Sequence, residues 1–421
     1  MAEWPTIPLG EVATFINGDR GKNYPQAEDR VAEGVPFINA GHLAGGRVRK
    51  SKMDYITPER YQLLRSGHVK VGDVILCIRG SLGRAALATS DVVPAAIASS
   101  LVLIRPRTRI LPRFLLAFLE GPIGFQLIAA ADNGAAQPNV GAGAVARFGV
   151  PLPPIDVQEQ ICGVLQALDD LIENNRRRIE ILEKMARLIY REWFVHFRFP
   201  GHEDVELVDS DLGPIPEGWN AVPLSDLVTT QYGYTESAQD DPVGPRYLRG
   251  MDMNKTSFID WSTVPYCPIS DSDREKFKVH VGDVFVIRMA DPGKIGICER
   301  EVDAVFASYL VRLKPIDSRL LPYYLFFTLS DDRYQGWVTG ASTGATRKSV
   351  SAKVMTEPPV VLAPQHVQAQ FVDTIAPIRE LLTNLLEQNG VLTEARDLLL
   401  PRLISGELDV SGLDLDLEPV A

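Results

Sequence analysis

Two stretches of the chain read IRGSLGRA (Ile78–Ala85) and IRMADPGKIG (Ile287–Gly296): an apolar run, an arginine, a glycine turn and a second basic residue. Arg79 with Arg84, and Arg288 with Lys294, pair a planar guanidinium with another cation, and Ser81 adds a small hydroxyl. Such groups suit directed hydrogen bonds to base edges and contacts with phosphate oxygens; they do not by themselves break bonds. Three more pairs of stretches carry the same inventory. INAGHLAGGRVRK (Ile38–Lys50), with Asn39, His42, Arg47, Arg49 and Lys50, faces LRGMDMNKTSFID (Leu248–Asp260), with Arg249, Asp252, Asn254 and Lys255. AAQPNV (Ala135–Val140), with Gln137 and Asn139, faces ATRKSV (Ala345–Val350), with Thr346, Arg347 and Lys348. NGDRGKNY (Asn17–Tyr24), with Arg20, faces QYGYTES (Gln231–Ser237). Each has a plainer alternative. The first loops could be surface hairpins with solvated charges, and Arg79 and Arg288 could pair with Asp73 and Asp283. Asn139 and Ser349 could be helix caps, and the last loops could be disordered.

Groups that would perform catalysis are missing from the pattern. GASTGATRKS (Gly340–Ser349) lacks the four-residue spacing of a phosphate-binding loop. EPPV (Glu357–Val360) has neither the first residue nor the aromatic of an (N/D)PPY motif. Six histidines are dispersed, and no acidic cluster has nuclease spacing. Cys77, Cys162, Cys267 and Cys298 form no CxxC, so zinc and disulfides are not expected, and each cysteine reads as a small buried hydrophobe. The expectation is a binding protein with no catalytic residue, metal or cofactor.

The elements that position these loops come in two copies. PLPPIDVQEQI (Pro151–Ile161) returns as VLAPQHVQAQF (Val361–Phe371), shifted by 210 positions in a chain of 421 residues. VKVGDVILCIRG (Val69–Gly80) returns as VHVGDVFVIRMA (Val279–Ala290), and ASSLVLIRP (Ala98–Pro106) as ASYLVRLKP (Ala307–Pro315). The period is that of a domain, which indicates duplication of a unit and not a solenoid. Within each copy, short β-rich runs enter through Gly-Asp turns, and LPRFLLAFL and LPYYLFFTL start helices with proline in the first turn. A long helix then follows. Its apolar seam runs Ile161, Leu165, Leu168, Ile172, Asn175, Ile179, Leu182, Ala186, Ile189, and its counterpart runs Phe371, Ile375, Ile378, Leu382, Leu385, Asn389, Leu392, Arg396, Leu399. Two such helices of about 36 residues, roughly 54 Å each, can satisfy one another as an antiparallel pair. The plainer reading is that each covers its own domain. A twofold pair of domains on a rigid spacer matches two separated half-sites on B-DNA, although a bivalent scaffold for proteins would have the same outline.

Charge does not contradict this. The net −11 divides into +5 over residues 1–150, −5 over 151–210, −3 over 211–356 and −8 over 357–421, so the acid concentrates in the helical segments. An apolar content of 45% is that of an ordinary globular chain. The most apolar stretch, Phe114–Ala131, is interrupted by Glu120, Pro122 and Gln126 and reads as a core helix, not a membrane span. The opening MAEWPTIPLG has no signal-peptide pattern, so a cytoplasmic location is expected. Trp193, Phe194, Phe197 and Phe199 read as packing after the first long helix, with partner docking as the alternative; Arg176–Arg178 read as a solvated helix face.

Taken together, VPLPPIDVQEQI with its helix, LIYREWFVHFRFPG (Leu188–Gly201), GPIPEGWNAVPLSDL (Gly213–Leu227) and DLLLPRLISGELDV (Asp397–Val410) resemble the specificity subunits of Type I restriction-modification systems over essentially the whole chain. The resemblance implies an α/β fold in which two tandem mixed α/β target-recognition domains are joined by two long antiparallel helices, a coiled coil with an internal pseudo-twofold repeat. The recognition domains are expected at 1–152 and 201–358, the spacer helices at 153–200 and 359–408, and an acidic mobile tail at 409–421. It further implies that each domain reads one half of an interrupted, asymmetric double-stranded DNA site, that the helices set the gap, and that two methyltransferase subunits dock, joined by restriction subunits. No membrane is involved. The competing expectation is a bivalent coiled-coil scaffold without DNA specificity.

Overall fold

The VGDV turn recurs because it solves the same burial problem twice. In the computed structural model, which describes residues 4–132, 138–342 and 349–410, the strands Val74–Cys77 and Val284–Ile287 leave that turn fully buried. Its aspartate accepts a backbone N–H from three residues earlier, Lys70 N to Asp73 Oδ2 at 2.8 Å and His280 N to Asp283 Oδ2 at 2.9 Å. A carboxylate removed from water needs a cation. Arg105 supplies it to Asp73 at 2.7 and 2.8 Å, and Arg312 supplies it to Asp283 at 2.8 Å. The two arginines occupy different positions on equivalent strands, Leu101–Pro106 and Leu310–Pro315.

Two compact units emerge, Met1–Ile172 with Val391–Ala421, and Glu173–Gly390. In the first, a six-stranded sheet runs Ala13–Asn17, Leu101–Pro106, Val74–Cys77, Ala85–Leu87, Gly46–Val48, Leu43–Ala44. Its neighbours are antiparallel except Gly46–Val48, which lies parallel to Ala85–Leu87. A smaller sheet orders Ala96–Ile97, Val35–Ile38, Tyr55–Ile56 and Arg30–Val31. In the second unit, Val228–Tyr232, Leu310–Pro315, Val284–Ile287 and Ile295–Ile297 repeat the first four positions of the larger sheet, and Arg246–Leu248 pairs parallel with Ala304–Phe306 as Val35–Ile38 does with Ala96–Ile97. Among the described residues the second unit has no counterpart of the Leu43–Val48 hairpin. Gly45 and Gly46, at φ of 59° and 70°, turn that hairpin, and Lys255 and Thr256 replace these glycines in the second copy.

The long helices span Ile155–Tyr190 and Gln365–Ser405, beginning just after Pro154 and Pro364. Every seam position named above is buried or half-buried. Each unit draws core residues from both helices. In the first, Ile161 and Leu165 join Leu403 and Ile404 around Phe114 and Phe118, and Asp169 meets Arg396 at 3.1 Å. In the second, Tyr190 lies 6.0 Å from Phe371, while Ile179 clusters with Leu382 and Leu385.

The repeated glutamine of the opening motif is the pin between helix and sheet domain. Gln158 and Gln368 are fully buried. Gln158 accepts from Leu111 N (2.9 Å) and donates to Arg109 O and Pro153 O (3.1 and 2.9 Å). Gln368 accepts from Leu321 N (3.0 Å) and donates to Arg319 O and Ala363 O (2.8 and 2.7 Å). All the amide's principal hydrogen-bonding capacity is used, which is what lets it sit in a core.

The Phe114–Ala131 stretch forms two helices, Pro112–Glu120 and Pro122–Ala130, bent by 65°, because Pro122 cannot extend the preceding helix. Among the described residues no single helix is long and apolar enough to cross a membrane. All four cysteines are buried and free, and burial pushes the thiols of Cys162 and Cys298 up to about 12. Phe194 and Phe199 are buried against Trp219, and Trp193 and Phe197 pack on the same cluster, so the aromatic run is core. Arg176–Arg178 are exposed.

Candidate nucleic-acid interface

The strand ends bring the divergent loops together within each unit. In the first, Arg79 and Asn139 form a backbone bridge, Val140 N donates to Ile78 O (2.9 Å), and Arg84 Nη1 reaches Ala40 O (3.5 Å). In the second, Met289 and Ser349 bridge, Val350 N donates to Arg288 O (2.9 Å), and Asn254 Nδ2 reaches Asp291 Oδ2 (3.0 Å). The fourth loops join through glycine. A Cβ on Gly18 would lie 2.4 Å from Ala98 O, and one on Gly233 would lie 2.3 Å from Ala307 O, so neither position admits another residue without a backbone shift.

These backbone pairings correct the equivalence of the arginines. Ile78 N donates to Ser100 O as Arg288 N donates to Tyr309 O. Arg288 therefore matches Ile78, and Met289 matches Arg79. A one-residue offset on a strand turns a side chain to the other face, so Arg79 and Arg288 are not counterparts. Arg79 Nε donates to Asn139 Oδ1 (3.1 Å), whereas Arg288 lies over the Tyr232 ring at 4.9 Å with its Nε unpartnered. Neither pairs with Asp73 or Asp283, which hold Arg105 and Arg312.

The first loops separate into supporting and presented residues. Asn39 N donates to His42 Nδ1 (3.1 Å), and Arg249 N donates to Asp252 Oδ2 (2.8 Å), so His42 and Asp252 each close the same turn. His42 is buried and its Nε2 faces Lys52 O at 3.2 Å; Asp252 also binds the Arg249 guanidinium at 2.8 Å. Asn39 holds Gly41 N and Asp54 (both 2.8 Å). His42, Asp252 and Asn39 thus serve as the loop's internal ties, not as side chains offered to a groove. Arg47 and Lys50 are exposed but paired, with Asp170 at 3.3 Å and Asp91 at 2.8 Å. Among the described residues Arg20, Arg49, Arg79, Arg84, Lys255, Arg288 and Lys294 have no ion pair; all but the half-buried Arg79 and Arg288 are exposed, as is Ser81. Asn139 and Ser349 cap no helix: the following helices start after Gly141 and Ser351. Gln137, Thr346, Arg347 and Lys348 lie outside the described residues.

Residues 1–184 match the family model of the Type I restriction modification DNA specificity domain. Over nearly its full length the chain is similar to the MjaVIII specificity subunit of Methanocaldococcus jannaschii, 22% identical over 98% of this chain and 94% of that protein. It is similar to the HindI specificity subunit of Haemophilus influenzae, 22% identical over 97% and 100%. Its fold is that of the M. genitalium S subunit, with a TM-score of 0.59 over 97% of each chain at 15% identity. Residues 1–184 thus carry the likeness to the Type I DNA specificity domain, and the chain as a whole is similar to Type I specificity subunits. Those relatives are named as specificity subunits, so the loops described above are read as a binding surface and not as an active centre.

Residues that the sequence alone did not mark are the supports of these loops. Asp54 behind Asn39, Asp132, which accepts Asn139 N at 3.0 Å, and Tyr232 under Arg288 are fixed by tertiary placement. Tyr232 alone carried a signal, as an aromatic in a loop with glycine.

Proposed function

We propose that the chain is a Type I specificity subunit that reads an interrupted, asymmetric site on double-stranded DNA, one half per recognition domain (1–152 and 201–358). Its spacer helices (153–200 and 359–408) pair antiparallel, set the gap and dock two methyltransferase subunits, to which restriction subunits are added. The work is cytoplasmic. The observation that carries this reading is local to each unit. Loops that differ in hydrogen-bonding residues converge at the ends of the same strand frame, and Arg20, Arg49, Arg84, Lys255 and Lys294 are exposed on them with no ion pair among the described residues. A frame held constant with a divergent rim is what two readers of different base sequences require. The antiparallel pairing is supported by contacts that run in opposite directions along the helices, from Tyr190 with Phe371 to Ile179 with Leu382.

The test is adenine-methylation sequencing of host DNA with and without the gene, coupled with binding by the subunit reconstituted with its methyltransferase. An interrupted site that loses methylation on deletion, and is bound in preference to other DNA with strong salt dependence, is expected. Binding with no sequence preference and no salt dependence would leave the protein scaffold as the surviving reading.

A further inference from the structure

At three positions of its loop face the second unit carries a large apolar or aromatic side chain where the first unit has an arginine, a serine and a glycine. Met289 stands where the first unit has Arg79, by the backbone bridges to Ser349 and Asn139. Tyr309 stands where it has Ser100, by the matching bonds from Arg288 and Ile78. Met251 stands where it has Gly41, within turns opened by Arg249 and Asn39. These three side chains line one cavity of about 640 Å³ together with Tyr247 and Ile287, and Glu236, Arg249 and Asp291 are the charged members of its lining. Met251 is 66% exposed and Tyr309 56%, although both are apolar enough to be buried elsewhere. The loops that supply Met251 and Met289 also carry Lys255, Arg288 and Lys294, which have no ion pair among the described residues and complement phosphate.

Apolar side chains cannot use the hydrogen-bond pattern of a groove. The one base-edge feature they do read in the major groove is the C5 methyl of thymine. Methionine suits this because its thioether adapts to a small apolar knob. Ala290 next to Met289 holds a left-handed φ of 70°, at the position of Gly80 with φ 80°, so the backbone bend that presents Met289 is kept despite a Cβ. Resting on the DNA-reading function proposed above, we propose that Met251, Met289 and Tyr309 form an apolar cradle that reads thymine methyl groups in one half of the target, while the first unit reads its half through polar groups.

The experiment uses the subunit reconstituted with its methyltransferase and the target defined by methylation sequencing. Each thymine in both halves is replaced in turn by deoxyuridine, which removes only the methyl, and affinity is measured by fluorescence anisotropy. At least one replacement, confined to one half, should weaken binding about three- to tenfold. The variant Met251→Ala/Met289→Ala should bind thymine and deoxyuridine DNA alike, with an unchanged melting temperature. Specific binding that is indifferent to every replacement overturns the cradle and leaves DNA reading intact. So does a thymine preference that survives the double variant. A rise in 2-aminopurine fluorescence that depends on Tyr309, with no methyl effect, would make the face a wedge between bases and overturns it too. Loss of all sequence preference in the parent protein would instead remove the function on which the cradle rests.

Discussion

At the scale of single residues, what the two halves share is largely scaffolding. Gln158 and Gln368 each satisfy one N–H and two carbonyls inside the core. Truncation would leave those backbone groups unpaired and out of reach of water, which costs on the order of 2–4 kcal/mol. Gln368→Ala and Gln158→Ala should therefore each lower the denaturant midpoint strongly in equilibrium unfolding. An effect below about 0.5 kcal/mol would show that these amides are not the pins described here. Gly80 and Ala290 give an opposed pair at one backbone position. Since a Cβ in the left-handed region costs about 1–2 kcal/mol, Gly80→Ala should lower the melting temperature and Ala290→Gly should raise it. Equal, small shifts in the same direction would contradict the equivalence drawn from φ values of 80° and 70°.

At the scale of elements, the two halves also differ where the long helices meet the sheet domains. In the second unit Arg379 is 1% exposed and binds Glu299 at 2.7 and 2.6 Å and Ser257 O at 3.0 Å. Ser257 N in turn donates to Glu183 of the first long helix at 3.0 Å. The periodicity of the helix gave no sign of this, because a buried charge next to a seam position looks like any surface arginine until its carboxylate arrives from a distant loop. Glu299→Gln should cost about 3–5 kcal/mol by stranding the guanidinium, while Arg379→Met with Glu299→Gln should recover much of it, as a double-mutant cycle would read. In the first unit Glu120 ends the helix Pro112–Glu120. Removal from water, then the charge of Asp169, pushes its carboxyl up to about 7, with Arg396 pulling the other way. The folded state thus holds this proton more tightly than the unfolded chain does, so stability falls as pH rises from the usual 4.5 toward about 7 and is flat above. Glu120→Gln should melt like the parent at pH 5 and above it at pH 8. A difference that does not grow with pH would exclude this titration.

At the scale of the whole molecule, the repeat was the legible part. A 210-residue shift, two VGDV turns and two seams were enough to expect a duplicated α/β unit and a long helix after each copy, because period and turn chemistry are local. The loops were legible only as composition. Which side chains tie a loop and which it presents depends on partners such as Asp54 and Lys52, and the offset between Arg79 and Arg288 follows from strand pairing that a one-residue shift in alignment hides. The apolar face of Met251, Met289 and Tyr309 has no signature in the sequence, because scattered apolar residues look like core until the strands bring them together. Charge shows the same division between global and local. The chain is −11 overall, yet Arg49, Arg84, Lys255 and Lys294 are exposed and have no ion pair among the described residues. If those loops lie on DNA, each cation at a phosphate releases counterions, and removing it should reduce the slope of log affinity against log salt by about 1. Lys294→Ala and Arg49→Ala should therefore weaken binding to the target and to unrelated DNA by the same factor, with the slope reduced. His42→Ala should instead act through the loop it closes, losing preference for the target with little change in slope. Unaltered slopes in both lysine and arginine variants would move the DNA face away from these loops.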